Sequence, residues 1–215
     1  MAIASYSELK TKIKLWAERQ DISDDLLDDF IFMTESTAMN NLRVPAMENT
    51  ELLPVADSTV TIPFDFLQLR ALSGPDSTNG NVYRILPWED FVEYFHGQSQ
   101  ATTQSTSERF YARQGARWFL FPQVADGEEL VCHYYRTFTQ LTDLQPTNWL
   151  LELSPQSYLF GCLKHLYEFL MDQERADYWE NKFMRELSII QDMADKSEHR
   201  GSQLVVQPTS IGSVT

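Results

Sequence analysis

The sequence predicts an α+β protein: a helical bundle formed by N- and C-terminal helices, an antiparallel β sandwich or barrel-like insertion, and an extended C-terminal tail. Three observations predict this class. Apolar residues recur every three or four positions at both ends, short strand-like runs separated by Pro, Asp and Gly occupy the middle, and the last residues show no periodicity. We expect residues 1–46 and 147–200 in the bundle, residues 47–146 in the insertion and residues 201–215 in the tail.

A serine introduces each of the first two predicted helices. Ser5 and Glu8 match a capping box, which predicts a short amphipathic helix over about residues 7–19. Ser23 is followed by Asp24 and Asp25, and the helix dipole favours such negative charge in a first turn. The second helix should end before residue 45, which is a proline. Its predicted apolar face is Leu27, Phe30, Ile31, Thr34, Ala38 and Leu42.

The middle of the chain has the pattern of an antiparallel meander. Gln114-Gly115 and Asp126-Gly127 predict tight turns, and Pro87 predicts the first turn of a short helix ending near residue 95. Residues 97–107, almost entirely Gln, Ser and Thr, predict a mobile surface loop. The predicted strands are residues 48–53, 58–62, 66–72, 82–86, 109–113, 116–121 and 129–137.

Two further helices are predicted near the C-terminus. Ser154-Pro155 predicts a helix start, with the serine as its cap, and Tyr158, Cys162, His165, Leu166 and Phe169 predict its apolar face. A second helix over residues 174–193 presents Trp179, Phe183, Leu187 and Ile190 at helical spacing.

Composition excludes several classes of protein. An apolar content of 43% over 215 residues excludes a wholly disordered chain. A formal net charge of −14 disfavours binding to DNA or anionic lipid, because attraction to phosphate needs clustered Lys and Arg. No signal peptide or membrane-spanning run is visible, so we expect a soluble protein made in a reducing cytoplasm.

No motif supports catalysis, and we expect neither an enzyme nor a cofactor. Cys162 and His165 share a helical face, which fits a nucleophile with its base but fits two core-edge side chains better. Asp24, Asp25, Asp28 and Asp29 could hold a divalent cation, yet they lack the spacing of a calcium loop. A charged helix start with a solvated face is the preferred interpretation of these four acids, so we expect no metal.

Three stretches, taken together in order and spacing, resemble the head-to-tail adaptor (connector) proteins of tailed bacteriophages, particularly the short-tailed kind with a tail tubular protein. They cover nearly the whole chain except residues 97–107 and about the last fifteen. The first runs from Tyr6-Ser7-Glu8-Leu9-Lys10 and Trp16 through Asp28-Asp29-Phe30-Ile31 and Glu35 to Leu42-Arg43-Val44-Pro45-Ala46-Met47-Glu48. The second is Ile62-Pro63-Phe64-Asp65-Phe66-Leu67-Gln68-Leu69-Arg70. The third is Pro146-Thr147-Asn148-Trp149-Leu150-Leu151, Tyr158-Leu159-Phe160-Gly161 and Asp172-Gln173-Glu174-Arg175-Ala176.

The resemblance implies a structural virion protein of the neck that forms a ring of identical subunits, expected to be a dodecamer. Its implied partners are the portal protein, the tail nozzle or tail tube protein, and genomic DNA passing through the lumen without sequence-specific binding; no membrane is implied. The C-terminal tail becomes the candidate portal-binding arm, and residues 97–107 the candidate tail-partner loop. The arm candidates are Gln203, Leu204, Val205, Val206, Gln207, Pro208, Ile211 and Val214, and the loop candidates are Gln98, Gln100, Thr102, Gln104 and Ser107.

The acidic charge gains a role under this resemblance, because a DNA channel benefits from walls that do not hold phosphate. Asp24, Asp25, Asp28 and Asp29 are therefore candidates for the channel wall or a subunit boundary. Two other classes stay open: an acidic DNA-mimic inhibitor, monomeric or dimeric, and, last, a small hydrolase using Cys162 and His165. Basic residues interrupt the acidic ones along the chain, which argues against a DNA mimic.

Overall fold

The protein is described here from a computed structural model, which covers residues 3–74, 82–97 and 108–199, without the side chains of residues 94–97 and 198–199. The chain divides into two compact units. Unit 1 contains Met1–Val44 and Leu150–Thr215, and unit 2 contains Pro45–Trp149. Residues 98–107 of the predicted loop and the whole predicted arm lie outside the described residues.

Unit 1 is helical, and its first two helices begin where the sequence predicts. Helix α1 spans Tyr6–Trp16 and α2 spans Asp24–Asn41. The Ser5 hydroxyl accepts a hydrogen bond from the Glu8 amide at 3.3 Å, and the Glu8 carboxylate accepts one from the Ala4 amide at 2.8 Å. The Ser23 hydroxyl likewise accepts from the Leu26 amide at 3.4 Å. Both predicted serine caps are confirmed.

Three more helices lie near the C-terminal end of the described chain: α4, Trp149–Leu153; α5, Pro155–Phe169; and α6, Gln173–His199. The sequence did not predict α4. The predicted start of α5 is confirmed, with Ser154 at the N-cap position and Pro155 as the first helical residue, but the Ser154 side chain makes no capping hydrogen bond. The Ser154 amide donates to the Leu150 carbonyl, so the residue completes α4, while its own hydroxyl caps nothing. Instead the Ser157 hydroxyl donates to the Ser154 carbonyl at 2.7 Å.

Helix α5 is the centre of unit 1 and packs against α1, α2 and α6. Its side chains are buried on most sides, including Tyr158, Cys162 and Leu166. Gly161 lies at the closest approach, where a β-carbon would stand 2.4 Å from the Thr34 methyl and 3.2 Å from the Phe183 ring. Phe169, predicted on the apolar face, is instead 60% exposed because it lies in the last turn, with its ring 6.0 Å from that of Phe30.

Unit 2 is a seven-stranded, nearly closed, barrel-like sheet. The strands are β1, Glu48–Ala56; β2, Thr59–Thr61; β3, Phe66–Ser73; β4, Tyr83–Ile85; β5, Arg109–Gln114; β6, Arg117–Phe121; and β7, Glu129–Arg136. They lie in the order β3-β7-β1-β2-β6-β5-β4. The two end strands approach each other through an antiparallel bridge between Ser73 and Val82. Strand β1 joins the two halves, since Leu53 pairs with Leu130 on β7 and Val55 pairs with Val60 on β2.

One strand pair corrects the prediction of a purely antiparallel insertion. β4 and β5 are parallel, with Arg84 opposite Phe110. Parallel neighbours need a crossover connection, and the connection between these two strands contains helix α3, Trp88–Gly97. A 3₁₀ turn, Pro45–Met47, precedes β1 and was also not predicted.

The core of unit 2 takes side chains from all seven strands. Trp118 is 2% exposed, and its ring meets those of Phe66 and Tyr111 edge-on at 5.2 and 5.8 Å. Alternate residues of β7 enter this core, as expected for strands with one buried face. The buried members are Leu53, Val55, Val60, Leu72, Tyr83, Tyr111, Trp118, Leu120, Leu130, Cys132 and Tyr134.

Candidate interaction surfaces

The four acids at the start of α2 fall into two pairs with different surroundings. Asp24 forms an ion pair with Lys14 at 2.7 Å, and this hydrogen bond holds the pKa of Asp24 below its ordinary value. Asp28 pairs with Lys10 and accepts a hydrogen bond from the Tyr6 hydroxyl at 2.5 Å. These two acids therefore tie α2 to α1.

Asp25 and Asp29 differ from their neighbours, because both are exposed and neither has an ion-pair partner among the residues that the structure describes. They lie four residues apart and so share one side of α2, facing away from α5. Phe32 and Met33 continue the same side and are 55% and 46% exposed. We call Asp25, Asp29, Phe32 and Met33 the α2 face.

A second surface runs along α6, with five side chains at steps of three or four residues: Tyr178, Lys182, Arg185, Ile189 and Met193. All are exposed except Lys182, which is half-buried. Such steps place all five side chains on one side of the helix. Met193 and Ile189 are 60% and 41% exposed. Arg185 is exposed and has no carboxylate partner in the described part of the chain. We call these five residues the α6 stripe.

Aromatic rings surround the N-terminal end of the α6 stripe. The Lys182 amino group lies over the rings of Tyr178 and Phe160, at 5.0 and 5.5 Å from their centres. Trp179 stacks on Phe160 and meets Trp16 of α1 edge-on at 5.9 Å. Trp16 is 51% exposed, so this cluster is half-open to solvent. Sequence reasoning did not single out the stripe, although its spacing was visible.

In unit 2 an apolar groove of about 310 Å³ lies between α3 and the sheet. Trp88 forms one wall, stacking on Phe91 and meeting Phe119 edge-on at 5.2 Å. Asp57, Ser58 and Gln123 supply its polar rim. The groove could accept an apolar side chain, but it brings no reactive groups together.

The pair proposed for nucleophilic chemistry is not assembled. Cys162 is fully buried, and its sulfur lies 3.5 Å from the Thr34 hydroxyl rather than near an imidazole. Burial raises the pKa of this thiol to about 12, which leaves it protonated and unreactive at neutral pH. The His165 Nδ1 atom lies 3.1 Å from the Glu168 carboxylate, and burial lowers the pKa of the imidazole. The geometry therefore favours two packing side chains.

Two other buried polar clusters have structural partners. The Tyr158 hydroxyl donates to the buried Glu35 carboxylate at 2.8 Å. In unit 2 the Tyr134 hydroxyl accepts from Asn49 at 2.9 Å and faces the carboxylates of Asp65 and Glu51 at 2.9 and 3.1 Å. Burial is the main reason that the pKa of Tyr134 is raised.

Within the described residues, no three His, Cys, Asp or Glu side chains are arranged to hold a metal ion, and no helix is long and apolar enough to cross a membrane. On its helices, the described part of the chain presents exposed charge and exposed apolar side chains, the two kinds of surface that contacts between proteins use. The family model for the SU10 adaptor protein matches residues 4–207. The chain belongs to this family, a family of phage structural adaptors. A search of curated proteins gave no match.

Proposed function

We propose that this chain is a head-to-tail adaptor that forms a ring between the portal and the tail nozzle and continues the DNA channel through the neck of the virion. The observation that carries the proposal is the match of the SU10 adaptor protein family over residues 4–207. A structural role also agrees with the buried, protonated Cys162 and the separate position of His165. A dodecameric ring is the expected assembly, put together in the host cytoplasm.

The charge of the chain supports a channel role. Its net charge of −14 disfavours retention of a phosphate backbone, so DNA could pass without being held. The portal-binding arm would be residues 203–214 and the tail-partner loop residues 98–107, both outside the described residues. An arm that orders only on binding pays conformational entropy, and many copies around a ring would restore the affinity.

The test is the solution mass of the full chain, alone and mixed with the portal ring encoded by the same phage. We expect a stoichiometric complex with the portal, measured by sedimentation or mass photometry. A chain ending at residue 201 should bind much more weakly. A chain of full length with residues 202–215 in scrambled order separates the effect of sequence from the effect of length. If the full chain ignores the portal at all concentrations tested, the adaptor role is wrong.

A further inference from the structure

The α2 face carries negative charge at one end and apolar surface at the other. Asp25 and Asp29 occupy its N-terminal part, and Phe32 and Met33 follow. At about 1.5 Å per residue, the centre of the two apolar side chains lies about 8 Å beyond the centre of the two carboxylates. Lys10 and Lys14 neutralise Asp28 and Asp24 but leave these two acids free of ion pairs in the described chain.

The α6 stripe has the same layout with the opposite charge. Lys182 and Arg185 come first along the helix, and Ile189 and Met193 follow about 11 Å further on. This is unusual in a chain with 31 acidic and 17 basic residues, because most exposed surface should be acidic. A parallel alignment of the two helices would place carboxylates against cations and apolar side chains against apolar side chains. The spacings of about 8 and 11 Å differ by less than the 5.4 Å of one helical turn, so both halves can meet at once.

We propose that the α2 face of one copy of this chain docks on the α6 stripe of the next copy. This inference rests on the proposed function and names the contact between neighbouring subunits. Both surfaces belong to unit 1, on different helices that each pack against α5, so one subunit cannot bring them together without unfolding this unit. The two surfaces are different, so a contact made once between two copies is heterologous, and repeating it generates a closed ring or a filament; the same pairing made twice about a two-fold axis would stop at a dimer.

Charge favours the contact of an α2 face with an α6 stripe over contacts between two α2 faces or between two α6 stripes. Two α2 faces in contact would oppose four carboxylates, and two α6 stripes would oppose four cations, and like charges across an interface disfavour association. The apolar halves supply the buried area, and the charged halves set the direction and register. A second copy thus satisfies both surfaces at once, and in a ring each subunit uses both.

The first test reverses one charge on each surface. Asp29→Arg and Arg185→Asp chains, each alone, should associate at least about fivefold more weakly than the wild type. Mixing the two should restore association, because each reversed surface then finds its complement on the other chain. Arg117→Asp makes the same change on an exposed strand of unit 2 and should have no effect. The readout is mass by sedimentation velocity, with circular dichroism to confirm folding.

The second test detects the contact even when association is weak. Met33→Cys and Ile189→Cys chains are mixed at high concentration under mild oxidation, with Cys132 and Cys162 protected by burial. We expect a disulfide-linked heterodimer well above the level from Met33→Cys mixed with Leu144→Cys, since Leu144 is 96% exposed and lies in unit 2. A chain with both Met33→Cys and Ile189→Cys should form a series of disulfide-linked oligomers, visible as a ladder on a non-reducing gel.

The outcomes separate this inference from the adaptor role. The docking proposal is wrong if cross-linking is no higher than in the Leu144 control, or if the charge reversals have no effect on association. In that case, binding of the full chain to the portal would still support the adaptor role. Portal binding that fails while the Met33–Ile189 cross-link forms would have the opposite meaning: the contact is real and the adaptor role is wrong.

Discussion

Replacing Gly161 with alanine tests the packing of unit 1, because two effects of known size oppose each other at this position. In an exposed helix interior, Gly→Ala stabilises by about 1 kcal/mol, since alanine has the higher helix propensity. Here the added β-carbon would meet the Thr34 methyl at 2.4 Å and its hydroxyl at 2.9 Å. Overpacking of this kind costs about 1–3 kcal/mol.

Thr34 has little room to yield to the added carbon. It is fully buried and β-branched, and its hydroxyl donates to the Phe30 carbonyl at 2.8 Å. A contact this short puts the clash in the upper part of that range, so after the gain of about 1 kcal/mol in propensity we expect Gly161→Ala to destabilise the protein by about 1–2 kcal/mol, or roughly 2–8 °C in Tm. The assay is thermal and urea unfolding followed by far-ultraviolet circular dichroism, which reports the helices.

The matched control removes the Thr34 methyl and hydroxyl groups that the new β-carbon would meet. In a Thr34→Ala background the same Gly161→Ala change should cost less or become favourable, giving a coupling energy of about 1–2 kcal/mol in a double-mutant cycle. If Gly161→Ala raises Tm in the wild-type background, α5 and α2 are not in close contact at this point, and the reasoning is wrong.

Three further predictions concern burial. Burial raises the pKa of the Cys132 and Cys162 thiols to about 12, so a disulfide reagent at pH 8 should modify neither until the protein is unfolded; stoichiometric labelling of the native protein would contradict this. Burial lowers the pKa of His165 below 6.5, so the unfolded state binds more protons there and stability should fall as the pH drops below about 6.5. His165→Gln should reduce that loss between pH 7.5 and 5.5, measured as the urea midpoint, and an unchanged loss would count against burial as the cause. Trp118→Ala should cost about 3–5 kcal/mol in urea unfolding, against less than about 0.5 kcal/mol for Leu144→Ala, because only the first leaves a cavity in the core.

Local signals predicted most of the helices well. Ser5 and Ser23 cap α1 and α2 because capping depends on side chains within three residues of the helix start. Ser154 shows the limit of the same rule. It occupies the predicted N-cap position of α5, but its hydroxyl makes no capping hydrogen bond, which depends on side-chain orientation and not on residue order.

The spacing of apolar residues along the chain did not predict which strands pair with each other. The alternation of apolar residues predicts that β1 and β7 are strands with one buried face. It does not indicate that Leu53 pairs with Leu130, since that choice depends on contacts between segments far apart in the chain. The parallel pairing of β4 with β5 escaped prediction for a related reason, since the direction of a strand depends on the tertiary path of the connection before it and not on its own residues.

For the candidate surfaces, too, some properties follow from residue order and others depend on the tertiary structure. The sequence by itself determined the charge of the chain, the helical spacing of its acids and the family resemblance, because all three are properties of residue order. Only the tertiary structure separated Asp25 and Asp29 from Asp24 and Asp28, since the separation depends on where Lys10 and Lys14 of a neighbouring helix lie. It also decided that the α6 stripe is exposed, because an apolar side chain at helical spacing faces the core or the solvent according to what packs beside it.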